Sequence, residues 1–268
     1  MLSLEKQILY MLLHRRAIST SEFIRIFKGR GKSEQVIRNT LSSLKKKGYI
    51  VAEDRKYNLA EAGARVIESL QLKFSGMDTL WDERWHFVMF SIPEQHRSMR
   101  NSFRRELMQI GYGLLFDGVF VCPFNRENAV LELAAQFGLD ESWIRTAIGE
   151  LRHGPITAID AERIWPVQTL NEKYAWFIGW INDKIKESSA FIENSAELMP
   201  WDVLLLILEA GEAFGEILLE DPFLPKELLP DDWKMPKARE LYHFYIGHKL
   251  APLLQSDKEL YSLIVSTD

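Results

Sequence analysis

Between residues 34 and 47, Gln35, Arg38, Asn39, Ser42, Lys45 and Lys46 fall on one side of a helical pattern whose other side is Ile37, Leu41 and Leu44. Spacings of three and four keep each set on its own face. Arg, Asn and Gln are the side chains that bond base edges through paired hydrogen bonds, and Lys and Ser suit phosphate oxygens. Lys32 and Ser33 just ahead, Arg30 before them, and Arg55 with Lys56 further on extend the cationic surface. Double-stranded DNA is the partner such a surface fits. A merely solvated helix face would carry the same charges, but charge excess, helix order and a following hairpin coincide here and favour DNA.

Catalysis finds no comparable pattern. There is no Gly-x-Ser-x-Gly elbow, no Walker loop, no His-Glu-x-x-His and no Gly-x-Gly-x-x-Gly. The six histidines are scattered, and His243 and His248, five apart, do not share a helix face. No catalytic residue, no metal site and no cofactor is therefore expected. The one cysteine, Cys122, excludes an intramolecular disulfide and a Cys-based zinc cluster, and reads as a small buried residue. Arg84, Arg104 and Arg105 are candidates to pair with an anionic ligand, with Trp85 as an aromatic surface beside them. Trp176 and Trp180, one helical turn apart, read as core.

The elements that would carry these groups follow from periodicity and punctuation. Leu4, Ile8, Met11 and Leu12 predict a helix over 3–14. Ser19-Thr20-Ser21 supplies N-cap hydroxyls for a short helix holding Phe23, Ile26 and Phe27, which Gly29-Arg30-Gly31 stops. Ser33 caps the helix 34–47, and Gly48 ends it. Tyr49–Val51 and Tyr57–Leu59 read as a hairpin around the charged turn 53–56, and a fourth helix is predicted over 60–72. A run of strand formers then starts at Trp85, followed by a helix over 95–110 and a strand near 112–116. Asp117-Gly118 turns into a return strand, Val119–Cys122. A helix over 126–137 and a last strand at Ile156–Ile159 complete the order βαββαβ, the ferredoxin-like arrangement. Long helices are expected at 169–187, 201–219 and 236–251, around a stiff Pro-rich connection at 221–233.

Charge divides along the same lines. The whole chain of 268 residues has a net charge of −5, which by itself argues against nucleic acid. Residues 1–74, however, hold 15 Lys+Arg against 7 Asp+Glu, a net of +8, and the remainder holds 18 against 31, a net of −13. The basic segment is the one with the candidate reading helix. The longest apolar stretch, Val203–Leu208, has six residues, far short of the roughly 18 that a membrane helix needs. The opening MLSLEKQ lacks signal-peptide architecture, so a soluble cytoplasmic protein with no membrane partner is expected.

Several stretches carry a family resemblance. Trp81–Trp85, Phe90–Glu94, Arg97 and Arg100, Phe103–Leu107 leading to Gly111–Gly113, and Gly118–Phe120 resemble the middle region of the PaaX-like transcriptional regulators. Asp221–Pro225, Leu228–Pro230 and Asp232-Trp233 look like that family's late signature. Arg38–Leu44 followed by Lys47–Tyr49 is similar to its winged-helix segment. The resemblance implies a bacterial repressor, typically dimeric, whose prototype releases DNA on binding an aryl-CoA thioester. It also implies a middle domain similar in fold to a small CRISPR-associated nuclease, in which an Asp near the end of the first strand matters for cleavage. Phe90-Ser91 stands there in this chain, so nuclease activity is not implied. Family members tend to carry a Tyr-Arg-Arg-like segment ahead of the Asp-Pro motif, where this chain has Phe214-Gly215-Glu216. The resemblance therefore carries the regulator role here and not the identity of the ligand.

Together these readings predict an α+β protein of three domains: a winged helix-turn-helix over 1–74, a ferredoxin-like domain over 81–165, and a mostly helical effector and dimerisation domain over 166–268. The expected function is a non-enzymatic, homodimeric transcription regulator on operator DNA, a repressor tuned by a small-molecule effector such as an acyl-CoA. The competing class is an acyl-CoA or nucleic-acid hydrolase built on the central domain.

Overall fold

The structure, a computed structural model, describes residues 4–15, 17–65, 67, 81–193, 199–255 and 257–263. It mixes helices with two small antiparallel sheets, so the α+β class holds. The chain gathers into two compact units, one of residues 1–71, 174–216 and 235–268, the other of 72–173 and 217–234.

In the first unit, α1 (Leu4–His14), β1 (Ile18–Ser19), α2 (Thr20–Lys28) and α3 (Glu34–Lys46) precede the hairpin β2 (Ile50–Glu53) and β3 (Lys56–Leu59). The three strands lie in the order β1-β3-β2. Two-residue β1 pairs Ile18 with Tyr57 and has no period for a sequence pattern to show. Apolar positions three and four apart bury Ile8, Met11, Leu12, Phe23, Ile26, Phe27, Ile37, Leu41 and Leu44 in one core. Residues 61–65 are helical, and most of the rest of the helix predicted over 60–72 lies outside the described residues. Later helices join this unit: most of α7 (Val167–Glu193) and α8 (Pro200–Glu220), with α9 (Met235–Phe244), which runs on as a π-helical stretch, Tyr245–Leu250. Tyr174, Phe177, Phe214 and Tyr242 form their aromatic seam, with Phe214 and Tyr242 stacked 4.8 Å apart. Burial in that seam pushes the Tyr242 phenol up to about 12.

The second unit runs β4 (Trp85–Phe90), α4 (Arg97–Gln109), β5 (Gly113–Phe116), β6 (Val119–Cys122), α5 (Glu127–Gln136) and β7 (Ile144–Gly149). The sheet order is β5-β6-β4-β7, and every neighbouring pair is antiparallel. Alternation along β4 decides what each side chain meets. Val88 and Phe90 join Phe120 and Cys122 under Phe103, Leu107 and Val130 of the two helices. Trp85 and Phe87 turn the other way, towards Val121, Ile156, Trp165, Leu224 and Leu228. Gly113 lets this side close, because a Cβ there would lie 2.2 Å from Ile164 and 2.6 Å from Trp165.

One expectation is corrected. The last strand is Ile144–Gly149, not Ile156–Ile159, and it pairs with β4 over six residues. As an edge strand with an exposed centre it needs no apolar alternation, so it left no periodic signal. The apolar stretch at 156–159 runs instead into α6 (Ala158–Ile164), which Thr157 and Asp160 open with a reciprocal capping box.

His86 lies on β4, only 8 % exposed. Burial holds its pKa below the ordinary value, against the pull of Asp82 and Glu127. The folded state thus resists protonating His86 while the unfolded chain takes up the proton near pH 6.5, so stability falls as pH drops below about that value. His86→Gln is expected to flatten this acid-side loss in urea midpoints measured at several pH values. Parallel curves for the two proteins would show that His86 carries none of it.

Candidate nucleic-acid interface

Helix α3 is built to present one polar face. Ser33 caps it by accepting a hydrogen bond from the Val36 amide at 3.3 Å. Ile37, Leu41 and Leu44 anchor the opposite face at 0–1 % exposure. Gln35, Arg38, Asn39, Ser42, Lys45 and Lys46 are all exposed, as their spacing predicts. The Gln35 amide donates to Asn39 Oδ1 at 2.8 Å, which fixes the pair side by side. Arg38 donates to Glu34 Oε1 from Nε at 2.9 Å and from Nη2 at 2.7 Å. Both partners of that pair are about half exposed, so it holds the guanidinium outward for only about 0.3–0.5 kcal/mol. Lys47, by contrast, is engaged by Glu5 at 2.8 and 2.9 Å, and those hydrogen bonds push its ammonium pKa up.

The hairpin ends in a two-residue turn, with Glu53 facing Lys56. Asp54 and Arg55 both take positive φ, 48° and 63°. That mirror-image turn suits strand twist, but it costs a non-glycine residue about 1 kcal/mol at each position. Glycine would be cheaper at the second position; an arginine there puts a guanidinium at the exposed tip.

Helix α3, the hairpin and α2 border an open concavity of about 810 Å³. Arg38 enters it from α3, Arg55 and Lys56 from the hairpin, and Arg25 from α2. The hydroxyl residues Ser19, Thr20 and Ser21 line it at the start of α2. That helix opens with a capping box between Ser19 and Glu22, so its positive end points the same way. Four cations, one carboxylate (Asp54) and a helix N-terminus make a lining suited to phosphate. Thr20, Ser21 and Arg25 were not among the sequence candidates. Their signal was present: Ser19–Ser21 read only as caps, and Arg25 lies off the apolar stripe of α2.

Other predicted positions go elsewhere. Arg30 does not join this surface: its side chain is 9 % exposed, paired with Glu212 and hydrogen-bonded to Gln7. Lys32 is half-buried and lines a different groove, beside α7 and α8. The ligand candidates do not converge. Trp85 is packed at 4 % exposure among Trp165, Val121 and Ile156. Arg104 pairs with Asp117 at 3.3 Å, next to Gly118, whose carbonyl accepts from the Phe90 amide. Arg84 stands before Trp85, at the other end of that six-residue strand, about 20 Å away. Arg105 is exposed and touches Ser102. Cys122 is fully buried, and burial pushes its thiol up, away from nucleophilic use. Trp176, read as core, is 57 % exposed.

Comparison with known proteins touches the whole of this architecture. Three family profiles match: "PaaX-like protein" over residues 8–63, "PaaX protein central Cas2-like domain" over 78–157, and "PaaX-like protein C-terminal domain" over 165–253. Among curated proteins, the chain is 23 % identical over 223 residues to the transcriptional repressor PaaX of Escherichia coli (strain K12), covering 81 % of this chain and 69 % of that protein. Among solved structures, an uncharacterized protein of Mycobacterium tuberculosis, Rv0674, shares the fold at a TM-score of 0.55 and 22 % identity, over 93 % of this chain and 96 % of that one.

Proposed function

The chain belongs to the PaaX-like family, and from that premise we propose that it is a DNA-binding transcription regulator, a repressor, that acts as a cytoplasmic homodimer on a palindromic operator and performs no catalysis. The observation that carries this reading is the concavity in which Arg25, Arg38, Arg55 and Lys56 meet the start of α2 beside the exposed face of α3.

In this reading residues 1–74 are a winged helix-turn-helix. Helix α3 lies in the major groove, with Gln35, Arg38 and Asn39 on base edges and Ser42, Lys45 and Lys46 on phosphates. The β2–β3 hairpin is the wing, and Arg55 with Lys56 grips the flanking backbone. Residues 81–165 are read as a ferredoxin-like domain, a reading that the strand order β5-β6-β4-β7 supports, and residues 166–268 as the helical part. These two mediate dimerisation and effector response: an effector need only bind better to the conformer whose two reading heads are mis-spaced.

A salt titration separates grip from readout. Lys46→Ala is expected to weaken operator and random DNA alike and to lower the salt slope of log K by about 1. Gel-shift titrations at several salt concentrations measure it. A wild-type slope on both DNAs would remove Lys46 from the phosphate contacts.

A further inference from the structure

A second groove, of about 730 Å³, lies inside the first unit, walled by α7 and α8 and rimmed by the turn between α2 and α3. Its volume falls in the range of small-molecule sites. Trp176 and Trp180 stack along one wall with ring centres 6.2 Å apart. The outer ring is 57 % exposed, which leaves it open to a ligand. Lys184 holds its ammonium 5.5 Å over the Trp180 ring and pairs with Glu209 at 3.4 Å. Among the described residues that line the groove, five carboxylates face three cations. An acyl-CoA, with its three phosphates, meets net repulsion here. A flat ring carrying one positive charge meets a stacking platform and a carboxylate rim.

The rim is also the segment that sets α3. Gly29 ends α2 so close to α8 that an added Cβ would lie 3.0 Å from Leu205. Arg30, one residue on, pairs with Glu212 of α8, and Arg25 stacks on Trp201 of α8 at 4.0 Å. Glu209 stands three residues before Glu212 on α8, so a ligand held there adjoins the carboxylate that seats the α2–α3 turn.

We propose that this groove is the effector site and that its ligand is a small aromatic cation of the arylalkylamine class, its ring stacked on Trp176 and its ammonium sharing Glu209 with Lys184. Calling the ligand an effector rests on the regulator reading; its chemistry rests on the groove alone. Calorimetric titration of the full chain without DNA tests the chemistry, with tryptamine as probe, indole-3-acetate as the same ring with the opposite charge, and phenylacetyl-CoA. Tryptamine is expected to bind, and indole-3-acetate to bind at least about tenfold more weakly. Trp176→Ala and Glu209→Gln should each weaken tryptamine about tenfold. Both positions are substituted without emptying a core, and circular dichroism checks the fold. Absence of tryptamine binding, equal or tighter binding of either anion, or wild-type affinity in both variants overturns the site. A gel shift with tryptamine then tests the coupling. Unchanged DNA affinity at saturating tryptamine overturns the effector role, whereas failure to bind any DNA without ligand is a failure of the regulator reading and leaves the calorimetric result standing.

Discussion

Replacing Arg38 and Asn39 together by alanine is expected to erase the preference for operator over random DNA while leaving most non-specific affinity in place. Each side chain is exposed on the polar face of α3 and is held by a neighbour one turn away, Glu34 for Arg38 and Gln35 for Asn39. Such exposed pairs exchange readily for a base edge, and a good bidentate base contact is worth about 1–3 kcal/mol of discrimination. The two are adjacent and share a helix turn, so their losses fall short of additive. A combined loss of about 3 kcal/mol, roughly a hundredfold in the specificity ratio, is the expected result. Gel shifts on the DNA upstream of the protein's own coding region, beside random DNA of equal length, measure it. Equal weakening on both would reassign these residues to phosphate contact, and no weakening on either would end the winged-helix reading.

The second large effect concerns stability. Glu212→Ala is expected to destabilise the chain by about 3 kcal/mol, because it leaves the Arg30 guanidinium buried with its charge unmatched. Arg30 and Glu212 side chains are 9 % and 18 % exposed, and Gln7 hydrogen-bonds both of them. Lys47→Ala is the contrast. It breaks the pair with Glu5, but that pair is 46 % and 32 % exposed, and such pairs are worth under about 1 kcal/mol. Glu212→Gln keeps an acceptor for Arg30 and should lose less than the alanine variant. Urea unfolding of the three proteins gives the ranking. A loss for Glu212→Ala no larger than that for Lys47→Ala would mean that Arg30 finds water when its partner goes.

Much of the fold was legible where a short-range signal suffices. The apolar stripe of α3 and its Ser33 cap, the Asp117-Gly118 turn and the α4 stripe at Phe103 and Leu107 lie within a few residues of what they control. β7 was not legible, because an exposed edge strand needs only backbone partners and shows no alternation. Ile156–Ile159 has apolar content without period, which fits a strand or a helix start equally, and the Thr157–Asp160 box decides for the helix. Trp176 is ambiguous in the same way: helical spacing to Trp180 says that two rings share a face, not that the face is covered.

The candidate interface divides similarly. Its helix face and hairpin tip were readable, since α3 and the turn at Asp54-Arg55 are local. Its third wall, the start of α2 with Arg25, was not, because only folding brings α2 against the hairpin. The spatial grouping of residues 174–216 and 235–268 with the first 71, and of 217–234 with the sheet, likewise has no local signature.

From the sequence alone came the elements, the +8 charge of the first 74 residues, and the outward face of α3, all consequences of periodicity and composition. Tertiary structure alone decided which of those charges are available. Arg25 and Arg30 are indistinguishable as residues in a basic stretch. One, although it stacks on Trp201, stays exposed and lines the concavity beside the hairpin, and the other is buried against Glu212, 182 positions away along the chain. Whether a cation can meet phosphate depends on what already sits within a few ångströms of it, and chain order does not encode that distance.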